Sequence, residues 1–415
     1  METVLIEKLL NNGHGMTRTS EGAVVFVADA LPGESVVLRN IEKRKGVLWA
    51  EADRGEDSPD RSVSPCSHYG ACGGCQLLHV RRDRELHYKV LYLKDVLARL
   101  GKLTDVAVDA VDFPIESSRI RGKFHVDQEG RLGFKHQRDE RIEEVPGCLV
   151  IPESVKALLT PLAEFCRRIS FKGDIYFATD AQGENPHYEF RGHFPRSTSK
   201  KQLVLPGSAG LVLRDQGGRI RLKSGQARVS YDWNKLNVRL QPSRFFQANP
   251  ASWPHFFALI DRYVETAHPI RVWDVHAGSG FLSSRLADTL LYASEPDPLA
   301  RDQMEKGLTQ AGFKLQVFAG TAEQAIKAEF FKAGPRDGVI LDPPREGLSV
   351  PLRRWLRDEG PRKILYFSCD MGSFARDLVS LSEVYAPEGP ILAMNLNPGT
   401  LRLETGVILK RKSKT

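Results

Sequence analysis

Val272-Trp273-Asp274-Val275-His276-Ala277-Gly278-Ser279-Gly280-Phe281 reads as an apolar strand that ends near an acid and runs into a glycine-rich turn. Small residues there let a ligand approach the backbone, and an acid at the strand end can hold a cationic or hydroxylated group. The run Leu282 to Asp288 then has the pattern of a helix. The next strand, Leu290 to Ser294, delivers Glu295, a carboxylate suited to a ribose diol. A later one, Gly338-Val339-Ile340-Leu341, delivers Asp342 into the stiff loop Pro343-Pro344-Arg345-Glu346-Gly347. A glycine turn alone is common to many nucleotide-binding folds. Acids at three strand ends, the last in Asp-Pro-Pro, point to an S-adenosylmethionine methyl donor rather than a nicotinamide.

The run Lys363-Ile364-Leu365-Tyr366 reads as a further buried strand, entering the loop Phe367-Ser368-Cys369-Asp370. A lone cysteine is usually a buried, inert residue. Just past a strand end of an α/β domain, Cys369 stands instead where such folds bind their ligands. Three other stretches, Asp274 to Phe281, Asp342 to Gly347 and Glu404, favour a chemical role for it over the inert one.

Outside this half, 415 residues are too many for one core, and two or three domains are expected. The division expected is 1–60, 61–240 and 241–415, with the helix at about 85–101 a candidate to pack on the third. No apolar run is long enough for a membrane span, and Met1-Glu2-Thr3 does not open a signal peptide, so a cytoplasmic protein is expected. The net charge of +7 suits a polyanionic partner. No oligomeric signal is visible, and a monomer is expected.

Short β-rich runs separated by turns, Val4-Leu5-Ile6, Ala23 to Val27, Ser35 to Arg39 and Val47 to Ala52, suggest a small OB-type barrel. Arg39, Lys43, Arg44 and Lys45 give it a basic cluster. Next comes Cys66-x5-Cys72-Gly73-Gly74-Cys75, and Cys148 follows far downstream. Thiolates so spaced can converge on one centre. A zinc site usually shows two close pairs. A Cys-x-x-Cys redox pair lacks the surrounding βαβ pattern. A [4Fe–4S] cluster suits a triplet plus one. Spacing alone leaves all three open. Glu85 to Leu100 has helical periodicity, and Gly101 stops it. From Ile115 to about Val238 the chain reads as mixed strands. Basic residues around Phe124 and Phe134 could grip RNA by phosphate contact and stacking. Ala181 to Ser199 reads as a polar loop, and Cys166 as core.

Ile6-Glu7-Lys8-Leu9, Gly13-His14-Gly15 and Val25 to Glu34 resemble a TRAM domain, an RNA-binding OB-like module. The whole chain resembles the RNA uracil-5 methyltransferases, which make 5-methyluridine. The carriers are the cysteine triplet, Arg244-Phe245-Phe246-Gln247-Ala248-Asn249, Asp342-Pro343-Pro344-Arg345-x-Gly347, Ser368-Cys369-Asp370 with Ala375-Arg376-Asp377-Leu378, and Glu404-Thr405. The resemblance implies a Rossmann-like methyltransferase domain, an N-terminal TRAM barrel and a mixed α+β central domain carrying the cluster. It implies Cys369 as nucleophile and Glu404 as general base. It implies a donor site of Gln247, Asp274, Gly278, Gly280, Glu295 and Asp342, and a [4Fe–4S] cluster on Cys66, Cys72, Cys75 and Cys148. TRAM module and cluster together look most like the enzymes acting on 23S rRNA. A tRNA substrate, or a non-catalytic RNA-binding protein on the same scaffold, are the alternatives. Departures from the family pattern are Arg402 for a histidine, Asn395 for an aspartate, His276-Ala277 for an aromatic-cysteine pair, and Thr321 for an acid or amide.

Overall fold

The structure, a computed structural model, describes residues 2–101, 103–234, 236–286 and 288–413. Six strands form the N-terminal sheet, in the order Thr3–Leu5, Ser35–Arg44, Val47–Glu56, Val24–Val27, Gly15–Arg18, Lys8–Leu9. Alternate side chains, among them Val4, Val25, Val27, Val36 and Leu38, fill its interior, as the period-two pattern requires. The basic cluster lies on the exposed Ser35–Arg44 hairpin, where Arg39 pairs with Asp53 at 2.6 Å and Arg44 with Glu42 at 2.6 Å.

The helix Arg82–Gly101 buries Leu93, Val96 and Leu97 against Phe374, Ala375 and Leu378 of the helix Met371–Leu381. A seven-stranded sheet follows, with Arg121–Val126, Lys172–Ala178 and His187–His193 at its centre. Leu162, Phe165 and Cys166 of the helix Leu159–Arg168 cover one face. The polar loop expected over 181–199 is therefore corrected. His187–His193 is a strand whose Glu189 is fully buried. Arg214 at 2.7 Å, Arg191 at 2.8 Å and the Ser243 hydroxyl at 2.8 Å neutralise that carboxylate. A charge buried by such partners hides the apolar alternation on which strand reading depends.

The nine-stranded C-terminal sheet runs Leu315–Phe318, Leu290–Ser294, Arg271–Asp274, Asp337–Leu341, Lys363–Ser368, Glu404–Arg411, Ile391–Asn395, Val108–Asp112, with Tyr385–Pro387 paired to Glu404–Arg411. The first five are parallel. Their order reverses at Arg271–Asp274, so a crevice opens beyond its carboxyl end and that of Asp337–Leu341. Glu404–Arg411 enters antiparallel between Lys363–Ser368 and Ile391–Asn395. The edge strand Val108–Asp112 comes from the middle of the chain. The hairpin Val229–Trp233/Leu236–Leu240 also packs on this half: Tyr231 and Trp233 stack with each other and meet Phe246, Trp253 and Phe281. The helix expected from Leu282 is only a single turn, Ser283–Arg285. Ser283 is tied to Asp274, and Asn234 binds the Ser284 carbonyl, which holds the turn against the hairpin. Ala287, in the same run, lies outside the described residues. No helix among the described residues is long and apolar enough to cross a membrane.

Candidate active site

Strand register assembles the centre. Ser368 pairs with Thr405, so the residues just beyond the paired ends, Cys369 and Glu404, are neighbours across the two strands. Thr405 fixes this register further, its hydroxyl donating to the Ser368 carbonyl at 3.0 Å. Asp342 follows the adjacent strand Asp337–Leu341. Cys369, Glu404 and Asp342 line one cavity of about 870 Å³, together with Gln247, His276, Gly278 and Glu295.

Of the residues expected at a donor site, Gln247, Gly278, Glu295 and Asp342 reach this cavity, while Asp274 and Gly280 stand behind its wall. Asp274 is fully buried, and its Oδ2 accepts from the Ser283 hydroxyl at 2.6 Å. Gly280 has φ +89° and a Cβ there would lie 3.1 Å from Met304, so glycine is needed for the turn itself. Glu295 ties the turn to its neighbour: Oε2 accepts from Gly278 N at 2.9 Å and Oε1 from Asp297 N at 2.7 Å. His276 lies on the lining with its Nδ1 unpartnered, and burial holds its ring neutral, pushed down to about 4. Thr321 does not line the cavity; it caps the helix Ala322–Lys327.

The buried acids of the site raise one another. Burial, then Asp274, raises the Asp342 carboxyl to about 7. Burial raises Asp274 to about 6, and Glu404 is held well above the carboxylate range by burial and by Asp342. The Cys369 thiol is pushed up to about 12 by burial, then Glu404 and Asp342, against the pull of Arg345. These acids retain protons in the fold that the unfolded chain releases near pH 4. The folded state therefore binds more protons, and stability falls as pH rises from about 4 to 7. Asp342→Asn is expected to stabilise the ligand-free protein at pH 8 by on the order of 2 kcal/mol. The gain should vanish at pH 4. Denaturant unfolding at both pH values checks it, and an equal gain at both would rule out the charge account.

The mouth of the cavity carries groups the sequence reading placed elsewhere. Phe124 is fully buried, stacked on Phe177, and cannot meet a base. An exposed aromatic at the mouth is Phe245, 67% exposed on the cavity lining, with the Arg121 guanidinium 5.5 Å from its ring centre. The signal was the doublet Phe245-Phe246, of which only Phe246 is used in the core. Lys123, Arg244, Arg345 and Arg402 also line the cavity.

Arg119, Arg121, Gly122 and Lys123 form a wall shared with a second cavity, of about 500 Å³, lined by Cys66, Cys72, Cys75 and Cys148. Gly74 N donates to Cys72 Sγ at 3.4 Å, and Gly73 N ties the triplet to the Lys135 carbonyl at 3.0 Å. Burial raises the thiols of Cys72, Cys75 and Cys148, and proximity to one another adds to it; Arg119 opposes it at Cys75 and Cys148. Among the described residues no group of three or more His, Cys, Asp or Glu side chains is arranged to hold a metal ion. The four cysteines line one cavity, and the cluster expected from the sequence is not shown by this arrangement.

Residues 2–52 match the TRAM domain family. The chain is 26% identical to an uncharacterized RNA methyltransferase of Halalkalibacterium halodurans, over 99% of this chain and 97% of that one. It is 28% identical to a 23S rRNA (uracil(1939)-C(5))-methyltransferase of Shewanella amazonensis, over 91% and 88%. The crystal structure of Pyrococcus abyssi tRNA (uracil-54, C5)-methyltransferase with S-adenosyl-L-homocysteine superimposes with a TM-score of 0.77 at 20% identity, covering 98% of this chain and 99% of that one. With the barrel, the switch-point crevice and the register of Cys369 against Glu404 already in place, the chain is similar over nearly its whole length to RNA methyltransferases, a uracil-5 enzyme among them, and shares the fold of another.

Proposed function

We propose that the protein methylates carbon 5 of a uridine in 23S rRNA, with S-adenosylmethionine as donor. The observation that carries this reading is the meeting of Cys369, Glu404 and Asp342 on one cavity. Carbon 5 of uracil is a poor nucleophile. The Cys369 thiol gives its proton to solvent, an ionisation that Arg345 favours, the thiolate adds to carbon 6, and the electron pair moves into the enolate. Carbon 5 then takes the methyl group that the bound sulfonium supplies. Glu404 accepts the carbon 5 proton, the 5,6 double bond re-forms, and the bond from carbon 6 to sulfur breaks. Gln247, Gly278 and Glu295 hold the donor, Asp274 and Gly280 shape the turn beneath it, and Asp342 faces it. A cationic donor fits beside Asp342 and Glu404, whose carboxyls burial holds protonated, because positive charge next to them favours their ionised forms. The target base must leave its stack to reach Cys369, and Phe245 with Arg121 offers a stacking surface at the mouth.

The ribosomal substrate is favoured by the Shewanella relative, which matches over most of both chains. Labelled methyl transfer to unmodified 23S rRNA and to tRNA transcripts, with nucleoside mass spectrometry, is expected to give 5-methyluridine in the ribosomal RNA. Product in tRNA alone would keep the chemistry and overturn the substrate.

The cysteine cavity suits a [4Fe–4S] cluster better than zinc. A zinc–thiolate bond is about 2.3 Å long, so zinc needs its sulfurs within about 4 Å of one another. Four thiols around a cavity of about 500 Å³, with Arg119 beside them, fit a larger anionic group. Such a cluster would cross-link the triplet to Cys148. Anaerobic purification is expected to yield about four irons and four sulfides per chain. Stoichiometric zinc with no sulfide would exclude the cluster.

A further inference from the structure

The loop from Asn395 to Glu404 is gripped by distant parts of the chain. Gly399 N donates to both oxygens of Glu85, at 3.0 Å each. The Gly399 carbonyl accepts from Gln76 N at 2.8 Å and Leu77 N at 2.9 Å, the two residues after Cys75. A Cβ on Gly399 would lie 2.9 Å from Leu78 and 3.4 Å from Cys75 Sγ, and its φ of +78° favours glycine. Glu85 and Lys89 are 2% and 3% exposed and pair at 2.6 Å. Lys89 also donates to Asn395 Oδ1 at 2.6 Å. Glu404, five residues beyond Gly399, has a buried Oε1 with no hydrogen-bond partner. That oxygen is aimed by the course of the chain and not by a bond of its own.

We infer that this clamp, Glu85 on Gly399 with Gln76 and Leu77 opposite, positions Glu404 for proton removal. Glu85 and Gly399 are then positioning residues for the elimination step, and the cysteine segment bears on the reaction through them. The inference rests on Glu404 being the base. A small displacement of that carboxylate should slow proton removal by about 10–100-fold. Addition of Cys369 and donor binding should be spared, because Cys369 hangs from a different strand.

The test compares wild type with Glu85→Gln, Gly399→Ala and the pair Glu85→Gln/Lys89→Met, which removes both buried charges together and protects folding. Glu404→Gln is the reference. The readouts are the fraction of RNA held in a denaturation-resistant protein adduct, turnover, and the affinity for S-adenosylhomocysteine. Clamp variants are expected to bind that probe within about twofold of wild type, turn over slowly and accumulate methylated adduct. If Glu404→Gln traps adduct but the clamp variants behave as wild type, or lose probe affinity in step with turnover, the inference is overturned. If Glu404→Gln traps no adduct, the reading of Glu404 as base fails, and the clamp with it.

Discussion

Cys369→Ala is expected to abolish methyl transfer, lowering kcat by about 10⁴-fold or more, because no other step in the scheme makes carbon 5 nucleophilic. The register of Ser368 with Thr405 does not depend on the side chain of Cys369, so the cavity should survive the change. Donor affinity should stay within about threefold, since the thiol shares the cavity without carrying its charge at neutral pH. Labelled-methyl incorporation and calorimetric titration separate the two quantities. Transfer within tenfold of wild type would show that this thiol does not attack carbon 6.

Glu404→Gln should fail differently. Glutamine keeps the shape but cannot accept a proton, so addition and methyl transfer proceed once and elimination stalls. Turnover is expected to fall by about 10³-fold, with the RNA left covalently attached and already methylated. On the proposed mechanism Glu404 suits this step: burial and Asp342 hold its pKa well above that of an ordinary carboxylate, so its ionised form is a strong acceptor. Denaturing electrophoresis of labelled RNA detects the adduct. A variant that releases methylated RNA at the wild-type rate would remove Glu404 from the chemistry.

Four of the five parallel strands were legible as apolar runs, and the residue delivered at each end could be read off directly; Leu315–Phe318, broken by Gln316, was not. Asp342 and Cys369 were found that way. Asp274 was found too, but its carboxylate lies behind the glycine turn and not in the cavity. The strand His187–His193 was missed because Glu189 is buried on partners far along the chain, Arg214 and Ser243. Glu85 and Lys89 look like an exposed pair one helical turn apart. They are buried because residues some 310 positions later close over them. The same contacts explain a departure from the family pattern. Asn395 donates its amide to Glu85 and Asp112 and accepts from Lys89; an aspartate there would be a third carboxylate with nothing to donate.

The antiparallel strand Glu404–Arg411 lies inside the sheet, yet it follows in sequence every strand that it joins. On the ribosome the barrel, the cysteine segment and the five parallel strands all emerge before it. Until it inserts, Lys363–Ser368 and Ile391–Asn395 present open edges to each other, the kind of edge that recruits foreign strands. The nascent protein therefore completes its barrel before Glu404 is in place, and on the proposed mechanism the insertion that closes the sheet also completes the site.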